Sequence, residues 1–221
     1  MTPLSRRKLL LGGFSLLAAS SAASAQDIFN NDSMGYYDPD LLPPPESEID
    51  FPIVGVDPKR IKKRYRRQEV DYEGDEDAGT VIVDPAHRFL YYVTDSGRAI
   101  RYGVGVGRQG FEWSGDAVIG MKRRWPRWVP PAEMIDRDEK AAKWPNGMPG
   151  GPDNPLGARA LYLYQDNVDT LYRIHGTNEP SSIGKAMSSG CIRMLNEDIA
   201  SLYDKVAIGT PVTVLPAEDM F

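Results

Sequence analysis

Between Thr80 and Leu215 the chain breaks into short β-branched and aromatic runs separated by turn residues, and no other feature limits its fold as strongly. Thr80-Val81-Ile82-Val83 and Phe89-Leu90-Tyr91-Tyr92-Val93 flank Asp84-Pro85, and Asp95-Ser96-Gly97 reads as a hairpin turn into Ala99 to Val106. Glycines at 103, 105 and 107 punctuate that third run and predict bulges or close backbone approach. Ala117 to Met121, Ala160 to Tyr164, Leu171 to Ile174 and Val212 to Leu215 are further strand segments. Two stretches favour helix: Pro131 to Lys143, with proline at its start, and Asn196 to Val206. The second has an Asn N-cap, early acids, and Ile199, Leu202, Tyr203 and Val206 on one face. Many short strands with few helices predict a mainly β domain of sandwich or barrel type. No internal repeat is visible.

The first residues carry a different message. Ser5-Arg6-Arg7-Lys8 is basic, Leu9 to Ala19 is apolar, and Ala23-Ser24-Ala25 has the small-x-small form of a cleavage site. That order predicts an export signal over residues 1–25, and the apolar run is too short for the ~20 residues that span a bilayer. A buried core helix would explain neither the basic flank nor the Ala-x-Ala ending. The arginine pair suggests the twin-arginine route, against general secretion as the alternative. The one cysteine lies far from the cleavage site, so lipid anchoring there is not expected. No membrane span is expected after cleavage.

Residues 26–78 read as a linker or N-terminal extension. Its first part is broken by Asp38-Pro39 and Pro43-Pro44-Pro45; then the basic block Lys59 to Arg67 meets the acidic block Glu69 to Asp77. These opposite blocks could fold back on each other, serve as a solvated tether, or attach to an anionic envelope polymer. The chain holds 26 basic and 31 acidic residues. Losing Arg6, Arg7 and Lys8 leaves a formal net charge of −8, which disfavours nucleic-acid binding. Residues 79–216 form the expected catalytic domain and 217–221 a tail. Within it, Trp144 to Gly157 contains four glycines and four prolines, as either a surface loop or a lid.

Two segments carry chemistry: His175-Gly176-Thr177-Asn178 and Ser188-Ser189-Gly190-Cys191-Ile192-Arg193-Met194. A lone cysteine in an exported chain has no disulfide partner within it, so it is either inert and buried or present for its reactivity. Its neighbours favour reactivity. Gly190 permits unusual dihedrals and close substrate approach, so the Gly190 and Cys191 N–H groups can face an oxyanion. His175, at a strand end, can take the thiol proton and return it to a leaving amine. Arg193, two residues on, shares the side of the thiol, where it can favour thiolate or hold a substrate carboxylate. His87 reads as a turn residue. One cysteine and two histidines fall short of a usual zinc set, so neither metal nor other cofactor is expected.

The His-Gly-Thr-Asn and Ser-Ser-Gly-Cys-Ile-Arg-Met segments resemble the paired signature of the YkuD family of L,D-transpeptidases. Asn154-Pro155-Leu156-Gly157 and Asn196-Glu197-Asp198 are also similar. The resemblance runs from about Thr80 to Leu215 and implies a β-sandwich of mixed sheets with a few short helices. It implies action on peptidoglycan stem peptides as donor and acceptor, in the periplasm or cell envelope. A thiolate would release D-alanine, leave a thioester, and pass it to an amine as a 3–3 cross-link; carbapenems would acylate the same cysteine. By motif match Cys191 is the nucleophile, His175 the base and acid, Gly190 an oxyanion-hole amide and Arg193 a support. Gly176, Thr177, Ser188, Ser189 and Asn154 would contact substrate. Water or an envelope protein's lysine as acceptor would instead make an L,D-carboxypeptidase, an endopeptidase or an anchoring enzyme. A non-catalytic wall-binding protein is the third reading.

Overall fold

The computed structural model describes residues 49–217 apart from 96, 108–112, 137 and 189. The expected signal, most of the Pro-rich stretch, Ser189 and residues 218–221 lie outside the described residues. Among the described residues eleven strands run in chain order: β1 (Gln68–Asp71), β2 (Val81–Asp84), β3 (Phe89–Asp95), β4 (Arg98–Gly103), β5 (Val106–Gly107), β6 (Gly115–Arg124), β7 (Arg159–Gln165), β8 (Val168–His175), β9 (Ala186–Ser188), β10 (Ile192–Arg193) and β11 (Pro211–Val214). Two α-helices join them, α1 (Ala132–Ile135) and α2 (Asn196–Lys205).

Nine strands form one mixed sheet in the order β1-β4-β3-β2-β11-β6-β7-β8-β10, while β5 and β9 form a small second sheet. The C-terminal strand joins the two halves: β11 lies parallel to β2 (Val212 opposite Val81) and antiparallel to β6 (Val212 opposite Ala117). Just beyond β4, Gly105 exchanges both backbone hydrogen bonds with Arg193 of β10, at 2.8 and 2.7 Å. The long sheet therefore curls, bringing the backbone just past β4 against β10 beside Cys191.

Strands of both halves supply one core. Val83, Leu90 and Tyr102 share it with Leu161, Leu163, Ile174 and Ile192, and α2 adds Ile199 and Leu202. Each such aliphatic side chain contributes about 1.5–3 kcal/mol on burial. Lys122 of β6 seals the end of α2 by donating to Tyr203 O at 2.6 Å and Val206 O at 2.7 Å.

Several local expectations change. The run Ala99 to Val106 is interrupted because its glycines admit close neighbours: a side chain at 103 would meet Tyr65, and one at 105 would lie 2.8 Å from Ser182 O. The helix expected over Pro131 to Lys143 is only α1 plus a 3₁₀ turn at Ala141–Lys143. Between them Asp138 accepts from the N–H groups of Lys140 at 2.8 Å and Ala141 at 3.4 Å, a side-chain alternative to helical bonding. Residues 49–77, though largely exposed, touch the domain at several points. Phe51 meets Trp125 edge-on, β1 extends the sheet, and Ile61 and Tyr65 form a second cluster with Phe89, Ile183 and Leu195. The basic and acidic blocks turn to the domain: Arg67 lies 3.8 Å from Asp198, while Arg98 pairs with Asp71 at 3.1 Å and Glu69 at 3.5 Å. No described helix is long and apolar enough to cross a membrane.

Candidate active site

β8 and β10 lie side by side in parallel, with Ile174 opposite Ile192 and His175 opposite Arg193. Both isoleucines are buried in the core, at 0% and 3% exposure, and fix which face of each strand points inward. Side chains alternate along a strand, so His175, Arg173, Arg193 and Cys191 all lie on the other face. Cys191 immediately precedes β10 and falls across from Arg173. Met194 N–H donates to His175 O at 2.8 Å, holding the two segments together past the strand ends.

His175 is 5% exposed. Its Nδ1 lies 2.6 Å from Gly176 O; a carbonyl can only accept, so Nδ1 carries the proton and Nε2 keeps its lone pair. Burial, then the nearby Arg193 charge, lowers its pKa to about 4, against weaker opposing bonds to the Gly176 and Leu156 backbone. The ring is therefore neutral at neutral pH. Cys191 is partly exposed and in no disulfide. Its enclosure pushes the thiol pKa up, while the Arg173 charge, a hydrogen bond from the Arg173 backbone and the Arg193 charge act the other way. The resting state is a neutral thiol with a neutral imidazole.

Gly190, just before the thiol, has φ 118°, in the left-handed region that side chains disfavour. A small apolar hollow opens against it, lined by Val106, Trp113, Tyr172 and Ile192. The Arg193 Nη1 reaches Glu179 Oε2 at 3.3 Å, and its Nε is buried with no partner among the described residues.

The other expected contacts divide. Gly176 lies against Asn196, whose side-chain oxygen occupies the space a Cβ would need. Thr177 is buried, and its hydroxyl accepts the Glu179 N–H at 3.0 Å. Ser188 closes β9, opposite Gly107. Asn154 is fully buried; its Nδ2 donates to Pro149 O at 2.9 Å and Pro126 O at 3.1 Å, and its Oδ1 accepts the Leu156 N–H at 2.8 Å. Its amide thus holds the Trp144–Gly157 loop in shape.

Two residues escaped the sequence reading, and a third was read in another role. Arg173 could have been found, because it stands two positions before His175 in a strand and so shares its face. Asp169 pairs with Arg173 through both oxygens, at 2.6 and 2.7 Å, and no local pattern marks it. Asn196, expected to cap α2, instead follows the N-cap residue Leu195 and sends its oxygen to Ala158 and Thr177. Among the described residues no group of three or more His, Cys, Asp or Glu side chains could hold a metal.

Comparison with known proteins gives a consistent family. Residues 78–214 match YkuD, the L,D-transpeptidase catalytic domain. "Probable L,D-transpeptidase ErfK/SrfK" of Escherichia coli K12 is 36% identical over 178 residues, 79% of this chain and 51% of that protein. This chain thus spans about half the length of that curated relative. Among solved structures, a protein of Brucella melitensis named "Probable carnitine operon oxidoreductase caia" is 52% identical, covering 72% of this chain and 98% of that one, with a TM-score of 0.48. An L,D-transpeptidase from Mycobacterium smegmatis is 18% identical, covering 62% of this chain and 58% of that one, with a TM-score of 0.47. The matched residues include both strands of the site, and the chain belongs to the YkuD family of L,D-transpeptidase catalytic domains.

Proposed function

We propose that this protein is an exported L,D-transpeptidase that cross-links peptidoglycan stem peptides through a thioester on Cys191. The observation that carries the reading is the pairing of His175 opposite Arg193 on adjacent parallel strands, with Cys191 on the same face. The export signal expected over residues 1–25 supports a location in the periplasm or cell envelope.

The chemistry runs in two balanced halves. Nε2 of His175 takes the thiol proton as Cys191 Sγ attacks the carbonyl before the terminal D-alanine of a tetrapeptide stem. The oxyanion of the tetrahedral intermediate is met by the Gly190 and Cys191 N–H groups. The C–N bond then breaks, His175 protonates the leaving D-alanine amine, and a thioester remains. An amine of a second stem attacks that thioester, gives its proton to His175, and expels the thiolate, which recovers the proton. A neutral His175 suits both halves, because it can accept at each attack and donate at each collapse. The Arg193 guanidinium favours the thiolate or holds a substrate carboxylate.

The test is incubation of the mature protein with tetrapeptide muropeptides and mass spectrometry of the products. A 3–3 dimer with free D-alanine supports the reading, whereas equal turnover by wild type and Cys191→Ala overturns it. Tripeptide alone points to water as acceptor, and a branched peptide on an added envelope protein points to a lysine. A carbapenem adduct lost in Cys191→Ala identifies the nucleophile independently of the acceptor.

A further inference from the structure

On the face that carries Cys191, Arg173 is the cation built most firmly into the fold. Both of its terminal nitrogens engage Asp169, at 2.6 and 2.7 Å, and its guanidinium lies 4.2 Å from the centre of the Tyr162 ring. The pair is largely enclosed, with 15% of the Arg173 and 21% of the Asp169 side chain exposed. Such a fork over a ring has little freedom, so its charge sits at a fixed place rather than sweeping through solvent. Arg193, by comparison, pairs through one nitrogen with Glu179, whose side chain is 58% exposed.

The geometry points to Arg173, anchored by Asp169 and Tyr162, as the positioning residue that stabilises the thiolate form of Cys191. This rests on the reading of Cys191 as nucleophile. In the register of the parallel pair, Cys191 falls across from Arg173, one step along from His175 opposite Arg193. The charges that act on the thiol are those of Arg173 and Asp169 from β8 and Arg193 from β10, with Tyr162 of β7 against the guanidinium; His175, two positions after Arg173 on β8, shares its face. Of the charges opposing burial of the thiolate, Arg173 acts most strongly, and Asp169 weakly counters it. The same charge also disfavours imidazolium, so Arg173 eases loss of the thiol proton while the resting pair stays neutral. Deprotonation can then follow substrate arrival instead of leaving a standing ion pair.

The experiment is the pH dependence of Cys191 alkylation by iodoacetamide in the purified mature protein, with thermal melting as a check on folding. Arg173→Gln keeps most of the stem over Tyr162 and removes the charge; its alkylation midpoint is expected to rise by about one pH unit, lowering thiolate about tenfold at neutral pH. Arg173→Lys is expected to recover at least half of that shift. Asp169→Asn keeps an acceptor for the guanidinium and removes the opposing charge, so its midpoint is expected to fall. An unchanged midpoint in Arg173→Gln, a lysine variant no better than glutamine, or a rise in Asp169→Asn overturns the assignment. If Arg173→Gln does not fold, the other two variants still decide it. Alkylation does not depend on turnover, so loss of the nucleophile reading would show separately, as muropeptide turnover persisting in Cys191→Ala.

Discussion

Asn196 Oδ1 accepts the backbone N–H of Thr177 at 3.2 Å, and the same atom accepts that of Ala158 at 2.9 Å. One side-chain oxygen thereby ties the start of α2 to the turn after His175 and to the end of the Trp144–Gly157 loop. Both Ala158 and Thr177 are buried, so water is not available to replace it.

Asn196→Ala should therefore cost more than an ordinary helix-end substitution. Each orphaned buried N–H costs about 1–3 kcal/mol, and the turn bearing His175 loses its brace. A lower melting temperature and a fall in kcat larger than any rise in KM are expected. Asn196→Asp, which keeps the acceptor, should retain most of both.

The pH dependence of stability should carry the mark of His175. Its folded pKa of about 4 lies below the ordinary histidine value of 6.5, so between those values the unfolded chain binds more protons. Its contribution is fully present above pH 6.5 and is lost as pH falls towards 4, amounting to about 3 kcal/mol. Denaturant titrations from pH 4 to 7 should show this slope reduced in His175→Gln.

Asp198 should act with the opposite sign. It is 3% exposed, its Oδ2 has no partner among the described residues, and burial raises its pKa from 3.8 to about 6. That contribution is present below the unfolded value and lost as pH rises through the folded one. Asp198→Asn should stabilise the protein at pH 7 by about 1–3 kcal/mol and show little gain at pH 4. Paired chemical denaturation at the two pH values checks it.

The segment before the matched family region should be needed for the site. Tyr65 packs with Ile183 and Leu195, which flank the Cys191 loop, and Val56 N–H donates to Glu197 Oε1 at 2.9 Å. Asp50 accepts from Trp125 Nε1 at 3.0 Å and pairs with Arg159 at 3.2 Å. Tyr65→Ala is expected to destabilise by about 3–5 kcal/mol. A protein beginning at residue 79 should melt lower still and show slower Cys191 acylation by a carbapenem. Unchanged melting would show that this packing contributes nothing.

The β character of residues 80–215 was legible because strand burial leaves a local trace, as in Val81-Ile82-Val83 and Leu161-Tyr162-Leu163, whose neighbours in sequence settle their conformation. The segments that carry Cys191 and His175 stood out too, since a glycine before a thiol and a strand before an imidazole are local features. Burial and pairing across the sheet were not. Whether residues 59–77 would pair with each other or with the domain depended on Asp198 and Arg98, which are distant in the chain. Asn196 carried a capping signal that tertiary contacts overrode, because Ala158 and Thr177 offered buried donors and Leu195 took the cap position. The sequence alone thus determined where most of the strands form and where the thiol and the imidazole stand along the chain. The curled sheet decided which charges surround the thiol, because Coulomb interactions depend on distances through space that a linear order of residues does not contain.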